Sequence, residues 1–160
     1  MDILTKKGQK SLEYEKEMLK KIRQYIQKEG KNNSYLFETN KYTDAKVDGV
    51  IVKNNILSGV FESKCRDMSL MELQDYGSWL ITFDKVMDGR QLSEMLRVPF
   101  LGFLYLLKDK IVMYWNITDR HGEFLFDFEV RKTTTQKTIN GGIAYRANAY
   151  LPLEKGYELL

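Results

Sequence analysis

The stretch from Val47 to Lys64 reads VDGVIVKNNILSGVFESK. Two runs rich in β-branched residues, Val47–Val52 and Ile56–Lys64, flank Lys53-Asn54-Asn55, which is turn chemistry, so the segment predicts a β-hairpin. Three charges interrupt it: Asp48 near the start, Glu62 and Lys64 near the end. Glu62 and Lys64 are two residues apart and therefore project from the same face of a strand. With a two-residue turn Asp48 falls opposite residue 61, and one bulged residue brings it directly across from Glu62. Either register lets Asp48, Glu62 and Lys64 converge at one end of two neighbouring strands. Burying such charges costs several kcal/mol unless they are paired or bind a metal.

The surrounding chain supplies a mixed set of elements. From about Gln9 to Glu29 it is rich in Glu, Lys, Leu and Gln and stops at Gly30, which predicts a helix. Tyr35–Thr39 reads as a short strand. A second helix is expected from Ser69, as N-cap, to about Met87, with Glu72 completing a capping box, and a short helical piece at Ser93–Leu96. Tyr76, Leu80, Phe83 and Met87 are expected on its core side. Phe100–Leu107 and Ile111–Ile117 read as apolar strands. Glu123–Arg131 alternates Phe124, Phe126 and Phe128 with polar residues as a half-buried strand does. Lys132–Gly142 is expected as a loop and Ile143–Leu151 as a last strand. The order predicts an α/β (α+β) fold, a mixed central sheet flanked by helices, in one domain spanning residues 1–160.

On a helical wheel at ~100° per residue, Leu12, Met18, Leu19, Ile22 and Ile26 fill one half of the first helix. Glu13 and Glu17 fall on the water side. Glu15 falls inside the apolar stripe, where a carboxylate needs a partner: a metal ion shared with the hairpin, or a Lys or Arg at the edge of the core.

Carboxylate oxygens at short range suit Mg²⁺, which also takes waters and phosphate oxygens. A nearby ammonium can orient an attacking water and stabilise the charge that develops on a phosphate. Asp, Glu and Lys together are the equipment of phosphodiester hydrolysis.

Asp48, thirteen residues, then Glu62-Ser63-Lys64 on a hairpin preceded by a helix resembles the PD-(D/E)XK nuclease superfamily. The likeness runs from the first helix to the helix after Lys64, about half the chain, with Val47 in place of the motif's Pro. It implies a restriction-endonuclease-like fold, with Asp48 and Glu62 as ligands of Mg²⁺ (or Mn²⁺ in its stead). It also implies Lys64 as the catalytic lysine, the Ser63 carbonyl as a further ligand, and a Glu on the first helix, here Glu15, facing the metal. Three acids and a lysine are then expected in one cleft.

Other residues carry weaker signals. Gln74 matches a supporting Gln of some members of that superfamily, although Gln-Asp-Tyr here departs from their Gln-x-x-x-Tyr; a surface amide reads the same. Arg66 can touch a phosphate or pair with Asp67. Arg131, Lys132, Lys137 and Arg146 flank three threonines, a pattern that suits backbone contacts to nucleic acid and equally a solvated loop. His121, the sole histidine, reads as a turn residue.

Composition bounds the rest. The chain has 43% hydrophobic and 29% charged residues, a net charge of +3 and one cysteine, Cys65. That balance suits a folded protein, excludes an internal disulfide, and is compatible with a polyanionic partner. No apolar run approaches the ~20 residues of a membrane span, and the first residues lack a secretory h-region, so a cytoplasmic protein is expected. The expected function is a metal-dependent DNA endonuclease, compact like those of phages and mobile elements, and a homodimer if it cuts both strands. The alternative is a catalytically inactive nucleic-acid-binding protein with the same fold.

Overall fold

The computed structural model describes residues 6–137 and 143–160, with the side chains of 134–137, 143 and 144 left aside. In chain order the elements are α1 (Lys6–Lys28), β1 (Ser34–Glu38), β2 (Gly49–Lys53), β3 (Ile56–Arg66), α2 (Leu70–Tyr76), β4 (Ser78–Thr82) and α3 (Phe83–Leu96). There follow β5 (Phe100–Leu106), β6 (Ile111–Thr118), β7 (Glu129–Lys137), β8 (Ile143–Pro152), a 3₁₀ turn at Leu153–Lys155 and β9 (Gly156–Glu158). Six strands form a mixed sheet in the order β1-β2-β3-β5-β6-β9, and a second sheet runs β4-β8-β7. The fold is α+β, as the sequence predicts.

The decisive hairpin forms. Asn54 and Asn55 both take positive φ, 52° and 62°, the left-handed pair that a two-residue turn between twisted strands requires. Lys53 pairs with Ile56 and Val52 with Leu57, after which the register shifts so that Ile51 meets Gly59 and Gly49 meets Phe61. Ser58 is the extra residue of a β-bulge. Because of that bulge, Asp48 comes level with Glu62, and its N–H donates to the Phe61 carbonyl at 3.0 Å.

Two cores sandwich the six-stranded sheet. On one face Met18, Leu19 and Ile22 of α1 pack on Phe61, Phe103, Tyr105 and Val112. On the other, Val60, Phe100, Leu104, Trp115 and Ile117 pack with Val86 of α3 and with Trp79, Ile81, Ala149 and Leu151 of the small sheet. β3 and β5 are parallel, with Glu62 beside Gly102, and α2, β4 and α3 make the crossover between them.

The region after Lys64 departs from expectation. One helix over Ser69–Met87 does not form. The capping box of Ser69 and Glu72 is present, but α2 ends at Gly77, which takes φ 71° and donates its N–H to the Leu73 and Gln74 carbonyls. A left-handed glycine stops a helix, and the β-prone Ser78–Thr82 then pairs with β8. Tyr76 is consequently exposed rather than core. The short piece expected at Ser93–Leu96 is the end of α3.

The three phenylalanines do not lie on a strand. Phe124, Phe126 and Phe128 pack against the core from an irregular segment, two of them edge-to-face on the third, and β7 begins only at Glu129. The part of the expected loop from Lys132 to Lys137 is strand, paired with β8; residues 138–142 lie outside the described ones. Among the described residues no helix is long and apolar enough to cross a membrane.

Candidate functional site

Asp48 sits just before β2, at the edge of β3. Its Oδ2 accepts the Ser63 N–H at 2.8 Å, so a side chain rather than a neighbouring strand satisfies that backbone donor. The position is fixed from behind, where the Thr39 N–H donates to the Asp48 carbonyl at 2.9 Å and the Thr39 hydroxyl to that of Val47 at 2.7 Å. Lys64 Nζ lies 3.8 Å from Asp48 Oδ2 and donates to Glu62 Oε1 at 2.6 Å. Asp48, Glu62 and Lys64 are thus brought together, with one ammonium touching both acids.

Glu62 is fully buried, on the sheet face covered by α3. Among the described residues its second oxygen, Oε2, has no hydrogen-bond partner. A buried carboxylate oxygen without a partner carries a desolvation penalty that a cation would relieve. Burial raises the Glu62 pKa, with Lys64 opposing and Asp48 adding to the rise. At Asp48 burial also pulls upward, but Lys64, Lys41 and the Ser63 N–H outweigh it and the pKa is lowered. Burial works against the charge on Lys64, yet Glu62 and Asp48 prevail and its pKa is raised. Lys64 therefore stays an ammonium at neutral pH.

Glu15 reaches the cluster from the other face of the sheet. Ser63 alternates away from Glu62 and Lys64, and its hydroxyl donates to Glu15 Oε1 at 2.6 Å. The same Ser63 Oγ is 3.1 Å from Asp48 Oδ2, but a hydroxyl has one proton and the shorter contact takes it. Glu15 also receives Lys41 Nζ at 2.7 Å, and that ammonium lies 3.3 Å from Asp48 Oδ1. The ion-pair reading of Glu15 holds, with Lys41 as the partner, and through Lys41 and Ser63 the residue joins the cluster. The expectation of a single cleft is corrected. Asp48 at the sheet edge joins Glu15 on one face to Glu62 and Lys64 on the other.

Among the described residues no three Asp, Glu, His or Cys side chains are grouped so as to hold a metal ion together. Mg²⁺ is commonly held by only one or two carboxylates, with water and phosphate oxygens completing its shell. Asp48 and Glu62, the latter with an unused oxygen, meet that requirement, and the donor set fits the ion.

Lys41 is the residue that sequence reasoning missed. It lies in the polar Asn40–Lys46 segment, where nothing in the sequence separates it from a solvated lysine. Glu17, expected on the water side, is part-exposed and accepts the Tyr105 hydroxyl at 2.6 Å and Lys110 Nζ at 3.3 Å. Cys65 is a half-buried free thiol, its pKa pushed up to about 12 by burial and by Glu15.

The remaining candidates stand apart from the cluster. Arg66 donates to the Cys65 carbonyl at 3.4 Å, and burial lowers its pKa. Gln74 is exposed on α2, which packs on β4 and donates the Leu70 N–H to Asp109 at 2.6 Å. Arg131 pairs with Glu129 and lies 4.5 Å from the centroid of the Tyr150 ring. Arg131 and Lys132 project from β7 rather than from a loop; Lys137 ends that strand, and its side chain lies outside the described residues. His121 sits in an exposed turn with Nδ1 3.1 Å from Arg97.

A scan of protein-family models, a search of curated proteins and a search of solved structures each found no match to the chain.

Proposed function

We propose that the chain is a metal-dependent endonuclease that hydrolyses phosphodiester bonds in DNA. The observation that carries this reading is the meeting of Asp48, Glu62 and Lys64, with Glu62 buried and one of its oxygens without a partner among the described residues. A structural ion pair has no use for that orphaned oxygen. A ligand does.

Asp48 and Glu62 would hold Mg²⁺, or Mn²⁺ in its place, with the Ser63 carbonyl as a further donor. The bound ion supplies a more acidic water and neutralises charge on the attacked phosphate. The remaining work falls to the chain itself. The Ser63 N–H fixes the Asp48 carboxylate, so the acid need not reorganise when substrate arrives. Lys64 is held between two carboxylates yet keeps 29% of its side chain exposed, so its remaining protons can reach a water or a phosphate oxygen at the surface. There it orients the attacking water and stabilises the negative charge that builds on the phosphate.

Incubation with supercoiled plasmid and Mg²⁺ or Mn²⁺ tests the proposal. Nicked or linear product that depends on the divalent ion and vanishes in Glu62→Gln is expected. DNA binding without cleavage would instead favour the inactive nucleic-acid-binding alternative.

A further inference from the structure

Lys41 has no part in the hydrolytic steps above, yet it is built into the site. Its side chain is 20% exposed, and those of its partners Glu15 and Asp48 are 14% and 17% exposed. Ordering and burying a long ammonium side chain is costly, and an ordinary surface lysine avoids both. The segment that carries it is held in place. The Tyr42 N–H donates to Asn40 Oδ1 at 2.9 Å, and Lys85 Nζ of α3 to the Ala45 carbonyl at 2.8 Å. Lys46 pairs with Asp88 of α3 at 2.8 Å.

Asp48 uses its two oxygens for two different cations. Oδ2 faces Lys64, which it shares with Glu62, and Oδ1 faces Lys41, which it shares with Glu15. Each pair of acids therefore brackets one ammonium. The sides differ in burial: Glu62 is fully buried and, among the described residues, its Oε2 has no partner, whereas the Glu15 side chain keeps 14% of its surface exposed and its Oε1 receives both Lys41 and the Ser63 hydroxyl.

We propose that the Lys41 ammonium acts as a built-in cation that fills the position between Glu15 and Asp48 and so confines the divalent ion to the Asp48–Glu62 side. This deepens the hydrolytic reading and rests on it for its meaning: the lysine holds a place that a second divalent ion would otherwise take. Without the ammonium, Glu15 and Asp48 face each other as two like charges around a space that a hard cation suits. The vacated position then takes a divalent ion.

Calorimetric titration with Mn²⁺, with bound ion counted by electron paramagnetic resonance, tests this on the full chain. Lys41→Met is expected to bind one Mn²⁺ more than the wild type. The added ion should disappear when Glu15→Gln is combined with Lys41→Met. Thermal melts give a second readout: Mn²⁺ should raise the midpoint of Lys41→Met by more than that of the wild type. If Lys41→Met does not fold, Lys41→Gln keeps a hydrogen-bonding chain without the charge and takes its place. An unchanged ion count, with only a lower melting point, makes Lys41 a structural ion-pair partner and overturns the proposal. A wild type that binds no Mn²⁺ and cuts nothing, beside a variant that gains one ion, sinks the nuclease reading and the confinement of an ion with it, and leaves Lys41 only as the cation that fills the position between Glu15 and Asp48.

Discussion

Gly102 offers a sharp steric test of the sheet that carries the site. It lies on β5 beside Glu62, and a Cβ built there would sit 2.5 and 2.8 Å from ring atoms of Trp79 and 3.1 Å from Ile117 Cδ1. Carbon atoms in contact prefer ~3.5–4.0 Å, so the indole would have to retreat by roughly 1 Å. It has nowhere to go. Trp79 is 2% exposed and its ring centroid is 4.9 Å from that of Trp115, itself fully buried with Nε1 bonded to the Pro152 carbonyl at 3.0 Å. Overpacking a closed core costs about 1–3 kcal/mol, and with both neighbours walled in, the upper end is expected for Gly102→Ala. At ~2–4 °C per kcal/mol for a chain of this size, the melting midpoint should fall by roughly 6–12 °C. Gly59→Ala is the control, because its Cβ meets only flexible Leu101 and Ile51 side chains, the nearest at 3.3 Å. Circular dichroism melts of both variants provide the comparison. Combining Gly102→Ala with Trp79→Leu should cost less than the two changes summed. Equal stability of Gly102→Ala and Gly59→Ala would refute the packing argument.

Three further outcomes are expected. Ser63→Ala removes the hydroxyl donated to Glu15 and should lower stability by about 1–2 kcal/mol in urea unfolding, since hydrogen bonds to charged groups are worth ~1.5–3 kcal/mol and Glu15 keeps Lys41. Glu62→Gln should stabilise the metal-free chain at neutral pH: the raised pKa of Glu62 means the folded state favours its neutral form, a contribution present below the unfolded value of 4.5 and lost as pH rises through the folded one. Unfolding curves in chelator across pH 4–8 (roughly the window in which a raised carboxyl titrates) should show the variant's advantage growing with pH, and a variant less stable than wild type at pH 7 would contradict the reasoning. Lys108→Ala removes an ion pair with Glu72 in which both side chains are more than two-fifths exposed, and should change stability by less than ~1 kcal/mol.

The hairpin and the charged residues that meet on it were legible because local chemistry dictated them. Two asparagines supplied the left-handed turn, β-branched runs supplied the strands, and the charges stood out against apolar neighbours. Glu15 stood out for the same reason, since helical periodicity exposes a misplaced carboxylate. What was not legible depended on competition between local and distant terms. The 69–87 segment carries a good capping box and a continuous apolar pattern, but Gly77 and the pairing partner offered by β8 divide it into helix, strand and helix. Lys41 was invisible because its burial comes from its meeting with Glu15 of α1, a contact 26 residues distant in sequence. The separation of Glu15 and Glu62 onto opposite faces follows from the alternation of Ser63, which sequence reading treated only as a carbonyl donor.

The most direct measurement is single-turnover cleavage of end-labelled duplex DNA in Mg²⁺ by the wild type beside Lys64→Met. That substitution keeps the length of the side chain and deletes the charge that touches both Asp48 and Glu62. Divalent-dependent cleavage that falls at least about a hundredfold in the variant is the predicted result, consistent with the usual loss when a group stabilising transition-state charge is removed. Cleavage at the same rate in both proteins, or none by the wild type under any divalent ion, contradicts the account.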